Sequence, residues 1–274
     1  MKAFRAFFVA WCFSIAIPTF SLAKPLTFAV VPQQSPKKMA EKWQPLIHYI
    51  AQYTGLDIEF RTAKDIPTFE ENLVNGEYDI AYMNPYHYTV FSANPGYQAL
   101  VRESDKSIKG LIVVNKSSGI TSIEQLNGME MVFPAPAAFA ATIITSAHLK
   151  ANSVTIIPRY VNSHDSVYFA VHQDFFNAGG GIYRTLKSIP SDVREDLHIL
   201  WESKGFTPHA IATHPAMADV KRQAILKAFL AINNDSGESY ILDGLNFNGF
   251  VASEDGDWDD VRALGIASIS RPHM

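Results

Sequence analysis

Asp79-Ile-Ala-Tyr-Met-Asn-Pro-Tyr-His-Tyr88 decides the reading of this chain, and Ser163-His-Asp-Ser-Val-Tyr168, running on to Asn177-Ala-Gly-Gly-Gly-Ile182, repeats its logic. Ile80, Ala81 and Tyr82, and later Ala178–Ile182, read as short buried strands that stop at a polar, tight-turning edge. Two such edges, far apart in sequence, predict two α/β lobes closing on a small molecule. Neither edge carries a nucleophile with a base at motif spacing, which points to capture of a solute without its conversion.

Working outward from the first edge, residues 26–31 are apolar and β-branched and are predicted to form a buried strand. Residues 38–53 place Met39, Trp43, Leu46, Ile47 and Ile50 at helical spacing, with Gly55 as a stop. A strand is predicted over 56–61, a helix over 69–75 closed by Gly76, and a third strand over 79–83. This alternation is that of a sheet with covering helices.

The pattern then repeats. Strands are expected at Gly110–Asn115, Glu130–Phe133, 155–161, Ala178–Ile182 and 197–201. Helices are expected over 137–150, 166–173 and 218–233. Polar interruptions near 102–109 and 202–209 are the expected crossings between lobes, because no flexible linker is present. The predicted organisation is therefore a leader over 1–23, a first lobe from 24–104 and 207–274, and a second lobe from 105–206.

The leader reading rests on Lys2 and Arg5, an apolar run over 7–17 and the small-residue site Ser21-Leu22-Ala23, which predict export with cleavage near Ala23. The apolar run is short for a membrane span and is broken by Pro18. Cys12, the only cysteine, lies inside it, outside the context of a lipid-modified cysteine. The mature chain would therefore lack disulfides and thiolate metal sites and would be soluble. Net charge is −4, and the leader removes two of the 23 basic groups. That mild acidity argues against a nucleic-acid partner, which calls for a basic stripe. No His-x-x-x-His pattern, Gly-x-Ser-x-Gly elbow or P-loop is present. Neither an enzymatic activity nor a metal or other cofactor is expected.

Read together, these residues resemble the substrate-binding proteins of phosphonate, phosphite and phosphate ABC transporters. The resemblance spans nearly the whole chain after the leader. It is carried by Asn75-Gly-Glu-Tyr-Asp-Ile-Ala81, by Gly110-Leu-Ile-Val-Val-Asn-Lys116 with Ser122-Ile-Glu-Gln-Leu-Asn-Gly128, by Ser163-His-Asp with Ala170-Val171, and by Leu200-Trp-Glu-Ser203 with Pro208. It implies a two-lobed type II periplasmic-binding-protein fold, α/β, each lobe a mostly parallel sheet covered by helices, with two hinge crossings. It also implies a periplasmic monomer that delivers a small anion to an inner-membrane permease. A sensor that reports the same ligand to a membrane receptor would use the same closure.

The resemblance further implies a pocket, and here the chain departs from the phosphonate-binding pattern. A Ser-Thr-Ser run of that family is matched by Ala138, Phe139 and Ala140. The hydroxyls are lost, although a helix start still offers N–H donors; the same run also fits a helix simply packed on its sheet. His164 matches the family's pocket histidine. Asp165 is expected either to hold that ring or to cap the following helix, and Ser166 is the expected cap. Two carboxylates that receive the amine of an aminophosphonate are matched by Arg184 and His209. Arginine there would repel an ammonium group and offer a fork to an anion. A family tyrosine is matched by Asp65 and another by Met83, with Tyr82, Tyr86 and Tyr88 close by. Tyr82, Asn84 and Tyr86 are expected to close the other side of the pocket. The glycine run allows close backbone approach.

Overall fold

The computed structural model describes residues 24–266; the leader expected over 1–23 lies outside them. Strand β1 (Leu26–Val30) leads through the helix α1 (Pro36–Thr54) to β2 (Ile58–Arg61), and through α2 (Ile66–Val74) to β3 (Ile80–Met83). β1 pairs in parallel with both β2 and β3. α1 begins where Ser35 accepts a bond from the Lys38 N–H with Pro36 in the first turn, and it ends at Gly55, whose φ is 69°. The apolar residues read from helical spacing, Met39, Trp43, Leu46, Ile47 and Ile50, are the ones it buries.

After α3 (Pro85–Ala93) and β4 (Gln98–Glu103), the chain leaves this sheet and builds a second one. It consists of β5 (Gly110–Asn115), β6 (Glu130–Phe133), β7 (Ile157–Tyr160), β8 (Ala178–Ile182) and β9 (Leu197–Glu202). Four helices belong to this part, α4 (Thr145–Ala151), α5 (His164–His172), α6 (Tyr183–Leu186) and α7 (Ser191–Asp196). The chain then returns as β10 (Ala210–Thr213), α8 (Asp219–Ala231), α9 (Ser239–Leu245), β11 (Phe250–Ala252) and α10 (Asp259–Arg262).

The strand orders are β11-β4-β10-β3-β1-β2 and β7-β6-β8-β5-β9. Both sheets are mixed. The parallel pairs come from the βαβ units, and the strands nearest the crossings, β4 with β10 and β5 with β9, run antiparallel. The two crossings pair through one isolated bridge, where Ile108 N–H donates to Phe206 O at 2.9 Å and Phe206 N–H donates to Ile108 O at 3.0 Å, and Lys109 Nζ donates to Glu202 Oε1 at 2.8 Å beside it.

Two local expectations are corrected. The helix read over 137–150 is found over 139–151, but its first part is wound wider than an α-helix. Residues Phe139–Ile144 form a wide turn, with Ile143 N–H reaching Ala138 O five residues back at 3.3 Å, and α4 follows. The cap of α5 is Ser163, not Ser166: its Oγ accepts from the Ser166 N–H at 3.1 Å.

The glycine run explains why the wide turn lies so close to the second sheet. A Cβ on Gly180 would sit 2.0 Å from Ala141 O and 2.5 Å from the Phe133 ring, and one on Gly110 would sit 2.2 Å from Ala140 O. On the other face, a Cβ on Gly181 would strike the Tyr168 hydroxyl at 2.4 Å. The glycines are needed for packing of helix and strand, since no ligand phosphate is required to explain them.

Candidate binding site between the lobes

The first edge supplies Asn84, which caps α3 by accepting from the His87 N–H at 2.8 Å. Its Nδ2 then donates across the lobes to Ala137 O at 3.0 Å. The second lobe answers with the start of the wide turn. Thr142 is the first residue there to donate back, to Ala138 O at 2.8 Å. The N–H groups of Phe139, Ala140 and Ala141 therefore stand ahead of its first bonded turn, where helix starts leave donors free.

His164 opens α5, and its N–H donates across the lobes to Gln33 O at 3.0 Å. His209 precedes β10 and stacks on Tyr82 with ring centres 4.8 Å apart at 13°. The Gln33 amide nitrogen lies 3.0 Å from His209 Nε2. Gln33, Asn84, Ala138, Phe139, Ala140, Ala141, His164 and His209 line one buried cavity of about 20 Å³, closed by the apolar side chains of Val31, Ile66, Ile108 and Ile182. Phe139 also packs edge-to-face on Phe206 of the crossing, 5.5 Å between centres.

Other residues singled out in the sequence stand further back. Tyr82 and Arg184 border a neighbouring small cavity with Gln33 and Phe247. The Arg184 guanidinium donates to Tyr82 Oη and to Glu103 Oε2 and lies 4.5 Å over the Phe247 ring. Tyr86 is buried on α3 beside His87 and lines neither cavity. Asp165 neither holds the His164 ring nor caps the helix. Its Oδ1 accepts from Gln34 Nε2 at 3.0 Å and its Oδ2 from Lys38 Nζ at 2.7 Å, so it ties the lobes together. Lys42 adds a bond to Ser188 at 3.0 Å. Asp65 caps α2 through the Thr68 N–H, and Met83 is core.

Gln33 is the residue that sequence reasoning missed. Pro32-Gln-Gln-Ser-Pro36 reads as a strand end, and only the pairing of β1 with β3 brings it beside the first edge.

The electrostatics are unusual for a site built to hold charge. Burial pushes the His164 imidazole down to about 4, with Asp165 opposing. Burial, then the Arg184 charge, then His87 and His164, hold His209 well below the usual histidine range. Both rings are thus neutral at pH 7. His164 Nδ1 and His209 Nδ1 are buried with no hydrogen-bond partner among the described residues. Among the described residues no group of three or more His, Cys, Asp or Glu side chains is arranged to hold a metal ion.

One consequence concerns closure. A depressed histidine favours the closed form above the open-form value of about 6.5, and that contribution is lost as pH falls toward about 4. Small-angle scattering of the protein without ligand is expected to show a larger radius of gyration at pH 5 than at pH 7.5. His164→Gln should reduce that difference, leaving the part due to His209, and an unchanged radius in the parent would refute it.

Two lobes with mixed sheets, joined by a pair of crossings and closed over a buried polar cavity, define a type II periplasmic binding protein. The family model for the ABC transporter phosphonate periplasmic substrate-binding protein matches residues 28–258, and the chain belongs to this family. It is 21% identical over 269 residues to the phosphate-import protein PhnD of Mycolicibacterium smegmatis, covering 86% of this chain and 84% of that one. Among solved structures, it is similar to a binding component of an ABC phosphonate transporter from Pseudomonas aeruginosa, with TM-score 0.81, 15% identity, and 88% and 85% of the two chains covered. It is also similar to PhnD1 of Prochlorococcus marinus in complex with methylphosphonate, with TM-score 0.82, 13% identity, and 88% and 97% covered.

Proposed function

We propose that this chain captures a small oxyanion of the phosphate, phosphite or phosphonate class between its lobes and presents it unchanged to an inner-membrane ABC permease. The observation that carries this reading is the set of main-chain donors at Phe139, Ala140 and Ala141 sharing a buried cavity with His164, His209, Gln33 and Asn84. Such a cluster offers hydrogen bonds to an oxyanion from several directions. A space of about 20 Å³ holds roughly one water. The anion must therefore enter with the lobes parted, and the smallest members of the class fit best.

Tyr82 and Arg184 act from behind the first layer on this reading, and Tyr86 supports α3. Residues 1–23 are removed on export, and the mature protein works as a monomer in the periplasm. Hinge closure around the guest then creates the surface that a permease reads.

The test is a thermal-shift series with inorganic phosphate, phosphite, methylphosphonate and aminoethylphosphonate. A ligand bound only by the folded form raises the melting temperature. At least one of the first three is expected to do so. Aminoethylphosphonate is expected to give little or no shift, because by the resemblance Arg184 and His209 match the two positions whose carboxylates would receive its amine. A flat response to all four, or submicromolar binding of aminoethylphosphonate, would overturn this reading.

A further inference from the structure

We propose that anion capture is proton-coupled: the buried imidazole pair His164 and His209 takes up one proton as the oxyanion seats, so that the counter-charge is made on binding and is not a fixed cation. This rests on the reading of the cavity as an anion site and deepens it.

The geometry supplies the argument. The cations nearest the cavity are already engaged elsewhere. Arg184 is held by Glu103 and Tyr82, and Lys38 by Asp165. The two side chains in the cavity able to acquire charge are His164 and His209, each with a buried Nδ1 that lacks a partner among the described residues. With the Gln33 amide donating to Nε2 of His209, the ring proton resides on Nδ1, a buried donor with nothing to accept it. An oxyanion oxygen would satisfy that donor.

His209 is also prepared to be charged. Gln33 is able to turn its amide oxygen toward a protonated Nε2, and the stacked Tyr82 ring presents its face to the imidazole. The groups facing the pair are Arg184 on α6 and His87 on α3, which oppose the charge on His209, and Asp165 on α5, which favours it on His164. His87 itself lies 3.2 Å from Glu70. Without an anion, burial keeps both rings neutral. An anion in contact reverses that balance, because an opposite charge at close range favours the protonated form. The two rings repel one another once charged, so one proton is shared by the pair. His209 further borders the hinge-side cleft of about 690 Å³, which gives the proton a route from solvent.

The experiment is titration calorimetry with methylphosphonate and with phosphite at pH 7.5, in buffers of differing ionisation enthalpy, joined to nitrogen-15 NMR of the histidine rings. Calorimetry is expected to show uptake approaching one proton. NMR is expected to show His164 or His209 passing from a neutral to a doubly protonated ring on saturation. His209→Gln and His164→Gln, compared with the parent, separate ring protons from protons carried by the ligand itself. If a probe binds while both rings stay neutral, the coupling is refuted and the anion site stands. If no probe binds, the anion site falls and the coupling with it.

Discussion

Gly180→Ala is expected to cost about 3 kcal/mol or more of stability and to abolish ligand binding. The added methyl would lie 2.0 Å from Ala141 O and 2.5 Å from the Phe133 ring, inside every ordinary contact distance. Neither neighbour is a flexible side-chain end. Ala141 O is main chain of the wide turn, and Phe133 is fully buried on β6. Overpacking of a rigid core costs typically 1–3 kcal/mol, and here backbone must move as well. The displaced segment is the one that lines the cavity, so binding is expected to suffer even where the protein still folds. Urea unfolding measures the first effect and calorimetry the second. A variant with parental midpoint and affinity would show that the approach of turn and strand is not needed. Gly119→Ala, where a Cβ meets nothing within 4 Å but φ is 71°, serves as a control for backbone strain alone.

Arg184→Ala is expected to weaken binding by tenfold or more, about 1.4 kcal/mol. Its route is closure of the lobes. Arg184 sits on α6 of the second lobe, and Glu103 ends β4 of the first. The Glu103 side chain is only 3% exposed when the lobes are shut. Removing the guanidinium leaves that carboxylate buried with Lys106 Nζ at 3.5 Å as its remaining cation. Breaking a buried pair from one side costs more than the pair contributes, because the surviving charge is stranded. Tyr82 loses its donor in the same step. Glu103→Gln added to Arg184→Ala should recover part of the affinity, since a neutral amide is cheaper to bury than an unpaired carboxylate. An Arg184→Ala protein with unchanged affinity would remove the residue from the machinery of binding. A double variant no better than the single would move Arg184 from closure to direct contact with the anion.

The sequence carried the scaffold well where periodicity and punctuation agree. α1 is an example: five apolar residues at helical spacing with Gly55 after them, while its start two residues earlier, at the Ser35 cap and Pro36, came from the structure. The first edge was legible for the same reason, since Asn84-Pro85 is a local signal; at the second, the cap read at Ser166 lies at Ser163, because neighbouring serines offer the same hydroxyl. The wide turn at Phe139–Ile144 was not legible, because alanine, threonine and isoleucine fit an ordinary helix equally well. What opens the turn is its tertiary contact with Gly110 and Gly180, contributed by other strands. Asp165 and Gln33 escaped for a related reason. Their partners lie in the opposite lobe, at Gln34 and Lys38 for the first and, for the second, at His164, whose N–H donates to Gln33 O. Contacts of that kind depend on how the halves meet, and no local pattern encodes them.

The arrangement of the wide turn bears on how such receptors diverge. Its Ala140 and Ala141 carbonyls are wedged against two strands, which fixes the two peptide planes that follow them and with these the direction of the Ala141 N–H. The oxyanion would then be gripped by atoms common to every amino acid. Side chains at 138, 139 and 140 are left free to drift within the limits of volume, and descendants with altered letters at those sites would inherit the grip intact.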